Sequence, residues 1–157
     1  MKIITTNNLN NPQKKVVYEL WNTEYPKNLT HQNLSDFENY LNALTNQYHN
    51  LLINKNGKIL GWYFDFDRNN EKWFAMILAS KIHGKGFGTR LLNEAKKRES
   101  ALNGWVIGKT DYLKQNGEYY KSPIPFYLKN GFQLVPEIRL ELEHLSAVKI
   151  TWKNNDK

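Results

Sequence analysis

Apolar residues at helical spacing mark a first helix near the start of the chain. Asn11-Pro12 supplies a plausible cap and a proline at the first helical position, where a missing N–H costs nothing. One helical face then carries Val16, Val17, Leu20 and Trp21. The pattern predicts a short amphipathic helix followed by a loop.

A second helix is predicted from about Ser35 to Gln47. Ser35 and Glu38 form a capping-box pattern. The apolar residues that follow at helical spacing are Phe37, Tyr40, Leu41 and Leu44.

The middle of the chain alternates like a β-meander. Two strand-like runs in HNLLINKNGKILGWYFDFD flank Asn56-Gly57, a pair that accepts the positive φ angles of a tight hairpin turn. A second turn, from Arg68 to Lys72, leads into WFAMILAS. Because this third strand is apolar on both faces, we expect it at the centre of the sheet.

The rest of the chain adds two helices and three strands. TRLLNEAKKRES, from Thr89, predicts an amphipathic surface helix. A strand at Trp105 to Ile107 follows, then a polar loop, and then a short helix around Phe126 to Lys129 that ends at Asn130-Gly131.

The last part of the chain alternates twice and predicts a final hairpin with one buried face. The alternating apolar positions are Ile138, Leu140 and Leu142, then Val148, Ile150 and Trp152. Pro136 implies a bulge or a sheet edge, because proline has no N–H for a ladder. The element order predicts an α+β fold, a mixed sheet of about six to seven strands with about four helices, in one domain over residues 1–157.

Composition narrows the chemistry. The 157 residues include no cysteine, which excludes disulfides, thiolate metal sites and cysteine nucleophiles. The start of the chain has no apolar stretch after its first lysine, and the longest apolar run is Trp73 to Ala79. We therefore expect neither a signal peptide nor a membrane span, and a cytoplasmic location.

The net charge of +7 is uneven, with +5 of it in residues 51–100. A local surplus of this kind indicates an anionic ligand. A nucleic-acid-binding domain is a rival interpretation at a pI of about 9.5. No basic and aromatic stripe or known binding motif supports it, so we expect no nucleic-acid partner.

The segment HGKGFGTRLL, from His83 to Leu92, lies between the predicted central strand and the basic helix. Alternate glycines leave backbone N–H groups unobstructed, and the positive end of the following helix favours phosphate oxygens. Lys85 and Arg90 add charge. The Walker and Rossmann glycine patterns do not fit, which leaves a different pyrophosphate-bearing ligand or a plain glycine-rich turn.

With these residues the sequence resembles the GNAT N-acetyltransferase superfamily, whose cofactor motif reads R/Q-x-x-G-x-G/A. Gly86 and Gly88 match the small positions, whereas His83 stands where the family has Gln or Arg. A second segment, FYLKNGF from Phe126 to Phe132, is similar to the family's F-Y-x-x-x-G-F. The family often has an asparagine seven residues before that tyrosine, and this chain has Tyr120.

The resemblance implies acetyl-CoA as cofactor and transfer of its acetyl group to an amine, either a small molecule or a peptide, by direct attack in a ternary complex. The cofactor-binding residues that it implies are Ile77, Leu78, His83, Gly84, Lys85, Gly86, Phe87, Gly88 and Thr89. A homodimer is kept as a candidate assembly, which the sequence alone does not decide. A GNAT-fold domain that binds an acyl-CoA without turning it over is the alternative.

By the same resemblance, Tyr127 is the acid that protonates the departing thiolate, and Glu71 is the first candidate for the general base. Asp65, Asp67 and Asp111 are further candidates. The chain's four histidines have no metal-ligand spacing, so we expect no metal.

Overall fold

The structure is a computed structural model that describes residues 1–155, which form seven strands and four α-helices. The strands are β1 Lys2–Thr6, β2 Thr45–Ile53, β3 Ile59–Arg68, β4 Glu71–Leu78, β5 Ala101–Val106, β6 Gln133–Leu142 and β7 Leu145–Lys153. The helices are α1 Asn11–Glu24, α2 Leu34–Asn42, α3 Phe87–Arg98 and α4 Ile124–Lys129. The predicted α+β class and its element counts are confirmed.

All seven strands belong to one sheet in the order β1-β2-β3-β4-β5-β7-β6. Neighbouring strands are antiparallel except β4 and β5, which are parallel and joined by the crossover helix α3. The apolar strand β4 is fourth of the seven, so the prediction that it is central is confirmed.

Apolar side chains fill both faces of the sheet. Helices α1 and α2 cover one face, where Val17, Trp21 and Phe37 pack against Trp62. Helices α3 and α4 cover the other, where a second buried cluster includes Leu91, Leu92, Tyr127 and Phe132. The side chains of β4 contribute to both clusters, which explains its unbroken apolar sequence.

The helix boundaries differ from the sequence prediction in places. Helix α1 is capped by Asn10, one residue earlier than expected, in a capping box with Gln13. Helix α2 is capped by Asn33, whose side chain accepts from the Asp36 N–H. The prediction that this helix runs to Gln47 is wrong, because β2 already begins at Thr45 and pairs with β3.

Two strand features also correct the prediction. Strand β1 has no counterpart in the predicted elements, and it pairs along its length with β2. Strand β6 lies at one edge of the sheet, and Ile138 and Leu142, predicted on a buried face, are 41% and 50% exposed. The bulge expected at Pro136 is confirmed by a register shift between Val135 and Arg139.

The buried His49 predicts that stability depends on pH. Its side chain is 0% exposed, and its Nδ1 accepts a hydrogen bond from the Trp62 Nε1–H at 3.0 Å. Burial lowers the pKa of His49 to about 4 from 6.5. Protons therefore bind preferentially to the unfolded chain between these values, so stability present above pH 6.5 is lost as the pH falls toward 4.

We expect this group to remove about 2 kcal/mol of unfolding free energy between pH 7 and pH 4.5. Chemical denaturation of His49→Gln at both pH values measures the effect, since the variant should lose less stability on acidification than the original chain. His144→Gln is the control, because the His144 side chain is 74% exposed. An equal loss in both variants would contradict the assignment.

Candidate active site

A gap opens in the sheet between the parallel strands β4 and β5. The two strands pair at one position, where Trp73 lies opposite Asn103 near the start of β4. Within residues 1–155 the β5 side of β4 has no strand partner from Phe74 to Leu78. On this side of β4 the Leu78 N–H can therefore pair with a ligand, whereas the Leu78 carbonyl oxygen lies 2.8 Å from His83 Nε2. Ile77 is in register with Trp62, and its backbone groups point the other way, toward β3, as the Ala79 N–H does.

The glycine-rich segment connects the end of β4 to helix α3. Gly84 and Gly86 have φ angles of 73° and 86°, and no atom lies within 4 Å of the place where either Cβ would be. Gly86 is the N-cap of α3 and offers no side chain to its first N–H groups. Those donors and the positive helix end face open space, which suits phosphate oxygens.

His83 connects this segment to β4. Its Nε2 lies 2.8 Å from the carbonyl oxygen of Leu78. Since a carbonyl only accepts, Nε2 carries the hydrogen of this bond. One ring nitrogen of this exposed, predicted cofactor residue is thus already bonded to the protein, and the bond fixes the segment against the end of β4.

The two basic residues of the segment have different surroundings. Lys85 is exposed beside the two glycines. Arg90 donates from its Nη1 to the carbonyl oxygen of Met1 at 2.8 Å, so part of its guanidinium is already bound. Lys85 is therefore the better placed of the two to meet a phosphate.

Phe87, Gly88 and Thr89 form the first turn of α3 and are half-buried. A Cβ on Gly88 would lie 2.8 Å from Cζ of Phe126 and 3.5 Å from Cε of Met76. Gly88 therefore serves the packing of α3 against α4, and Gly86 leaves the space open.

Tyr127 lies in α4 and packs edge-on against Phe74, with ring centroids 5.8 Å apart. It is 6% exposed, and no group in residues 1–155 makes a hydrogen bond to its hydroxyl. Burial, together with the nearby phenol of Tyr120, raises the pKa of Tyr127 well above its usual value. The hydroxyl therefore keeps its proton at neutral pH and has no partner of its own.

Glu71 begins β4 and lies on the sheet face opposite Tyr127. By strand alternation it shares the face of Trp73, whereas Phe74 and Tyr127 belong to the cluster on the other side. Its carboxylate pairs with Lys149 Nζ at 3.3 Å. Glu71 in β4 and Tyr127 in α4, which packs against β4, therefore lie on opposite faces of the sheet.

The other predicted carboxylates lie elsewhere. Asp65 is fully buried and binds Arg98 at 3.0 Å and the Tyr63 hydroxyl at 2.8 Å, near the end of α3. Asp67 pairs with Lys72 at 2.8 Å, next to the β3–β4 turn. Asp111 is exposed in the segment after β5.

The structure adds residues near the gap that the sequence analysis did not select. Ser80 lies two residues after the end of β4, and Glu24 at the end of α1 accepts a hydrogen bond from the Ser80 backbone N–H at 2.9 Å. Tyr25 follows Glu24, and its ring centroid lies 6.3 Å from that of Tyr120. Tyr120 belongs to the segment after β5 that the sequence predicted as a polar loop, and no motif marks Glu24, Tyr25 or Ser80.

In residues 1–155, no three acidic, histidine or cysteine side chains lie together as a metal site would need. None of the helices found there has the length and apolar character needed to cross a bilayer.

Comparisons with known proteins agree with this geometry. The structure is similar to an aminoglycoside 6'-N-acetyltransferase crystallised with coenzyme A, with a TM-score of 0.72 at 14% identity over 98% of this chain and 97% of that one. It is similar to a variant of spermidine N-acetyltransferase SpeG from Vibrio cholerae, with a TM-score of 0.66 at 14% identity over 98% and 95%. An acyl-CoA N-acyltransferase from Pseudomonas aeruginosa gives 0.67 at 11% identity over 97% and 99%.

These likenesses show a shared fold. No protein in the search of curated sequences matches significantly. The family model described as an acetyltransferase (GNAT) domain matches residues 46–134, which include β4, the glycine-rich segment, α3 and α4. Since this match covers more than half of the chain, the chain belongs to the GNAT acetyltransferase family.

Proposed function

We propose that this protein transfers the acetyl group of acetyl-CoA to an amine acceptor. The observation that carries the proposal is the position of the open glycine-rich segment at the start of α3, beside the gap between β4 and β5 and on the side of the sheet that holds Tyr127. The match to the GNAT family supports the same reaction.

The residues present fit coenzyme A. The free N–H groups from Gly84 to Thr89 and the Lys85 ammonium would hold the pyrophosphate, because they offer several donors with a positive field and no Cβ in front of Gly84 and Gly86. The Leu78 N–H on the open side of β4 would hold the amide-bearing arm of the cofactor, with Ile77 next to it in the strand. Bound there, acetyl-CoA supplies an acetyl group already activated as a thioester.

Tyr127 would hold the proton that the departing sulfur needs. Its raised pKa keeps the phenol protonated at neutral pH, and its hydroxyl has no competing partner in the described chain. A protonated hydroxyl positioned at the leaving group is a general acid.

The acceptor amine has to lose a proton before it attacks. An amine with a pKa near 10.4 is neutral in only about one molecule in 10³ at pH 7, so a base or a water path to one is useful. Glu71 remains the proposed base, and water would have to connect it to the gap because its own side chain pairs with Lys149.

An amine acceptor is also supported by the similar structures, whose names specify aminoglycoside and spermidine, both of which carry amines. The four carboxylates considered for the base lie in separate surroundings and do not form one charged pocket for a particular acceptor. We therefore propose the acceptor only by its class, an amine of a small molecule or of a peptide.

Cofactor binding is tested by thermal unfolding with acetyl-CoA, coenzyme A, NAD and ATP. At a hundred times its dissociation constant, a ligand adds about 2.7 kcal/mol to the unfolding free energy, which raises Tm by roughly 5 to 11 °C for a domain of this size. We expect this shift with both forms of coenzyme A and a much smaller one with NAD and ATP. No shift with either form would overturn the cofactor assignment.

Turnover is tested by release of free thiol from acetyl-CoA over a panel of amines that includes polyamines, aminoglycosides, amino acids and peptide N-termini. Acceptor-dependent thiol release supports the enzyme. Tight binding of acetyl-CoA with no release across the panel would favour the alternative, a GNAT-fold domain that binds an acyl-CoA without turning it over.

A further inference from the structure

The segment between β5 and α4, a polar loop by its sequence, contains a small hairpin over residues 112–120. The Tyr120 N–H donates to the Tyr112 carbonyl oxygen at 2.8 Å, and the Lys114 N–H donates to the Glu118 carbonyl oxygen at 2.8 Å. Backbone pairing therefore gives this part of the segment one conformation.

The hairpin is attached to two neighbouring elements. The Lys27 N–H, just after α1, donates to the Leu113 carbonyl oxygen at 2.8 Å. On the other side, the hydroxyl of Tyr112 accepts a hydrogen bond from the Ser146 N–H at 2.9 Å. The hairpin thus lies between the end of α1 and the β6–β7 turn.

A buried ion pair lies beneath the hairpin. Lys114 Nζ is 3.3 Å from Glu24 Oε1, and the two side chains are 10% and 11% exposed. The same ammonium is 3.3 Å from Ser80 Oγ, and Glu24 Oε2 accepts from the Ser80 backbone N–H at 2.9 Å. Three segments that are far apart in sequence therefore meet at the end of β4.

The energetics of such a pair favour a role in positioning. Removing two charges from water is costly, so a buried ion pair is weak evidence for stability, whereas leaving one partner without the other is strongly unfavourable. The Glu24–Lys114 pair therefore admits one placement of the hairpin relative to Ser80 and opposes every displaced one.

Tyr120 ends this hairpin and lies beside the other phenols of the gap. Its ring centroid is 6.3 Å from that of Tyr25, the residue after Glu24. Burial, and then the phenols of Tyr120 and Tyr127, raise the pKa of Tyr25 well above its usual value. Three residues after Tyr120, the Pro123 carbonyl oxygen accepts a hydrogen bond from the Tyr127 N–H at 3.1 Å, so the end of the hairpin adjoins the start of α4. The hairpin therefore determines where the Tyr120 side chain lies relative to Tyr25 and to α4.

We propose that Glu24 and Lys114 are positioning residues, and that they hold the Tyr120 hydroxyl beside Tyr127 as a contact for the acceptor amine. A phenol there can accept a hydrogen bond from an ammonium or donate one to a neutral amine. This inference rests on the proposed function and adds to it the residues that orient the acceptor.

The positioning role is tested first without any substrate, by amide hydrogen exchange of the full chain. Lys114→Met and Glu24→Gln should speed exchange at the Lys114 and Tyr120 amides by about tenfold or more, with the amides of β2 to β4 unchanged. Lys121→Met is the matched control, because Lys121 is exposed at the end of the same segment. Exchange equal to the control in both variants would overturn the role of the pair.

Kinetics with an accepted amine then tests the contact. Lys114→Met, Glu24→Gln and Tyr120→Phe should each lower kcat/KM for the acceptor on the order of tenfold, because displacement of an orienting group acts on the reacting geometry. The dissociation constant of acetyl-CoA should change less than twofold. The double change at Glu24 and Lys114 should cost little more than either single change, since both remove one pair.

The outcomes separate this inference from the proposed function. A fall in Tm with unchanged kcat/KM in the Glu24 and Lys114 variants would make the pair merely structural. An unchanged kcat/KM in Tyr120→Phe would show that the Tyr120 hydroxyl does not contact the acceptor. If the unmodified chain fails to bind acetyl-CoA, the proposed function and the acceptor contact fail together. The exchange experiment still decides whether the pair holds the hairpin.

Discussion

Tyr127→Phe is expected to lower kcat by roughly tenfold or more. General acid catalysis typically accelerates a reaction by about 10²- to 10⁴-fold, and the expected loss is smaller because water can partly replace the lost donor. The substitution keeps the ring that packs against Phe74 and removes only the hydroxyl. Since that hydroxyl makes no hydrogen bond in residues 1–155, Tm should barely change. Affinity for acetyl-CoA should also stay within about twofold, because the interaction belongs to the transition state.

Steady-state thiol release measures kcat and KM, and Tyr119→Phe is the matched control. Tyr119 lies near Tyr120 but is 66% exposed, so its hydroxyl should contribute nothing to turnover. Full kcat in Tyr127→Phe would return Tyr127 to a packing role. A loss of cofactor affinity with normal kcat would make it a binding residue.

The pH dependence gives an independent check on this role. Burial raises the pKa of Tyr127, so the phenol should stay protonated through the neutral range and lose its proton only well above pH 10. A fall of kcat between pH 7 and pH 9 should therefore not come from this group. Such a fall that disappeared in Tyr127→Phe would contradict the expected protonation state.

Local periodicity predicted most of the fold because the elements around the site are strongly patterned. Strand β4 is apolar on both faces since helices cover both sides of the sheet, and its central place follows from that. The basic helix α3 and the parallel crossover from β4 to β5 follow from the order of the elements.

The failures arise where pairing between distant segments decides the structure. Strand β1 is five residues long, and only its pairing with β2 makes it a strand. Apolar residues at helical spacing continue to Leu44, but β2 takes the chain from Thr45 because β3 offers it a partner. The alternation in β6 resembles that of a buried strand, yet its position at the sheet edge leaves Ile138 exposed.

The residues of the candidate site also fall into two groups, those that a local motif predicts and those that only contacts between distant segments define. The glycine-rich segment and Tyr127 belong to contiguous motifs, so the sequence could identify them. Glu24 contacts Ser80 and Lys114, which are 56 and 90 positions away in the sequence, and no local pattern predicts these contacts. The two motif glycines also differ in a way that only packing reveals, since Phe126 lies against Gly88 and nothing lies against Gly86.

Gly86→Val is accordingly the sharper test of the cofactor site, and we expect it to weaken acetyl-CoA binding by about 100-fold or more. A valine side chain would enter the open space before the N–H groups of α3 and would also resist the φ of 86° that Gly86 adopts. Losing two hydrogen bonds to a charged phosphate removes roughly 3 kcal/mol or more, which corresponds to that factor.

Backbone strain alone is controlled by Gly57→Val. Gly57 has a φ of 81° and equally open surroundings, but it lies in the β2–β3 turn. Each variant should lose about 1 to 2 kcal/mol of stability from the left-handed conformation, so their Tm values should fall by similar amounts. Calorimetric titration with acetyl-CoA should then show normal binding in Gly57→Val and none at micromolar concentrations in Gly86→Val. Equal binding by the two folded variants would reduce the glycine-rich segment to a simple turn.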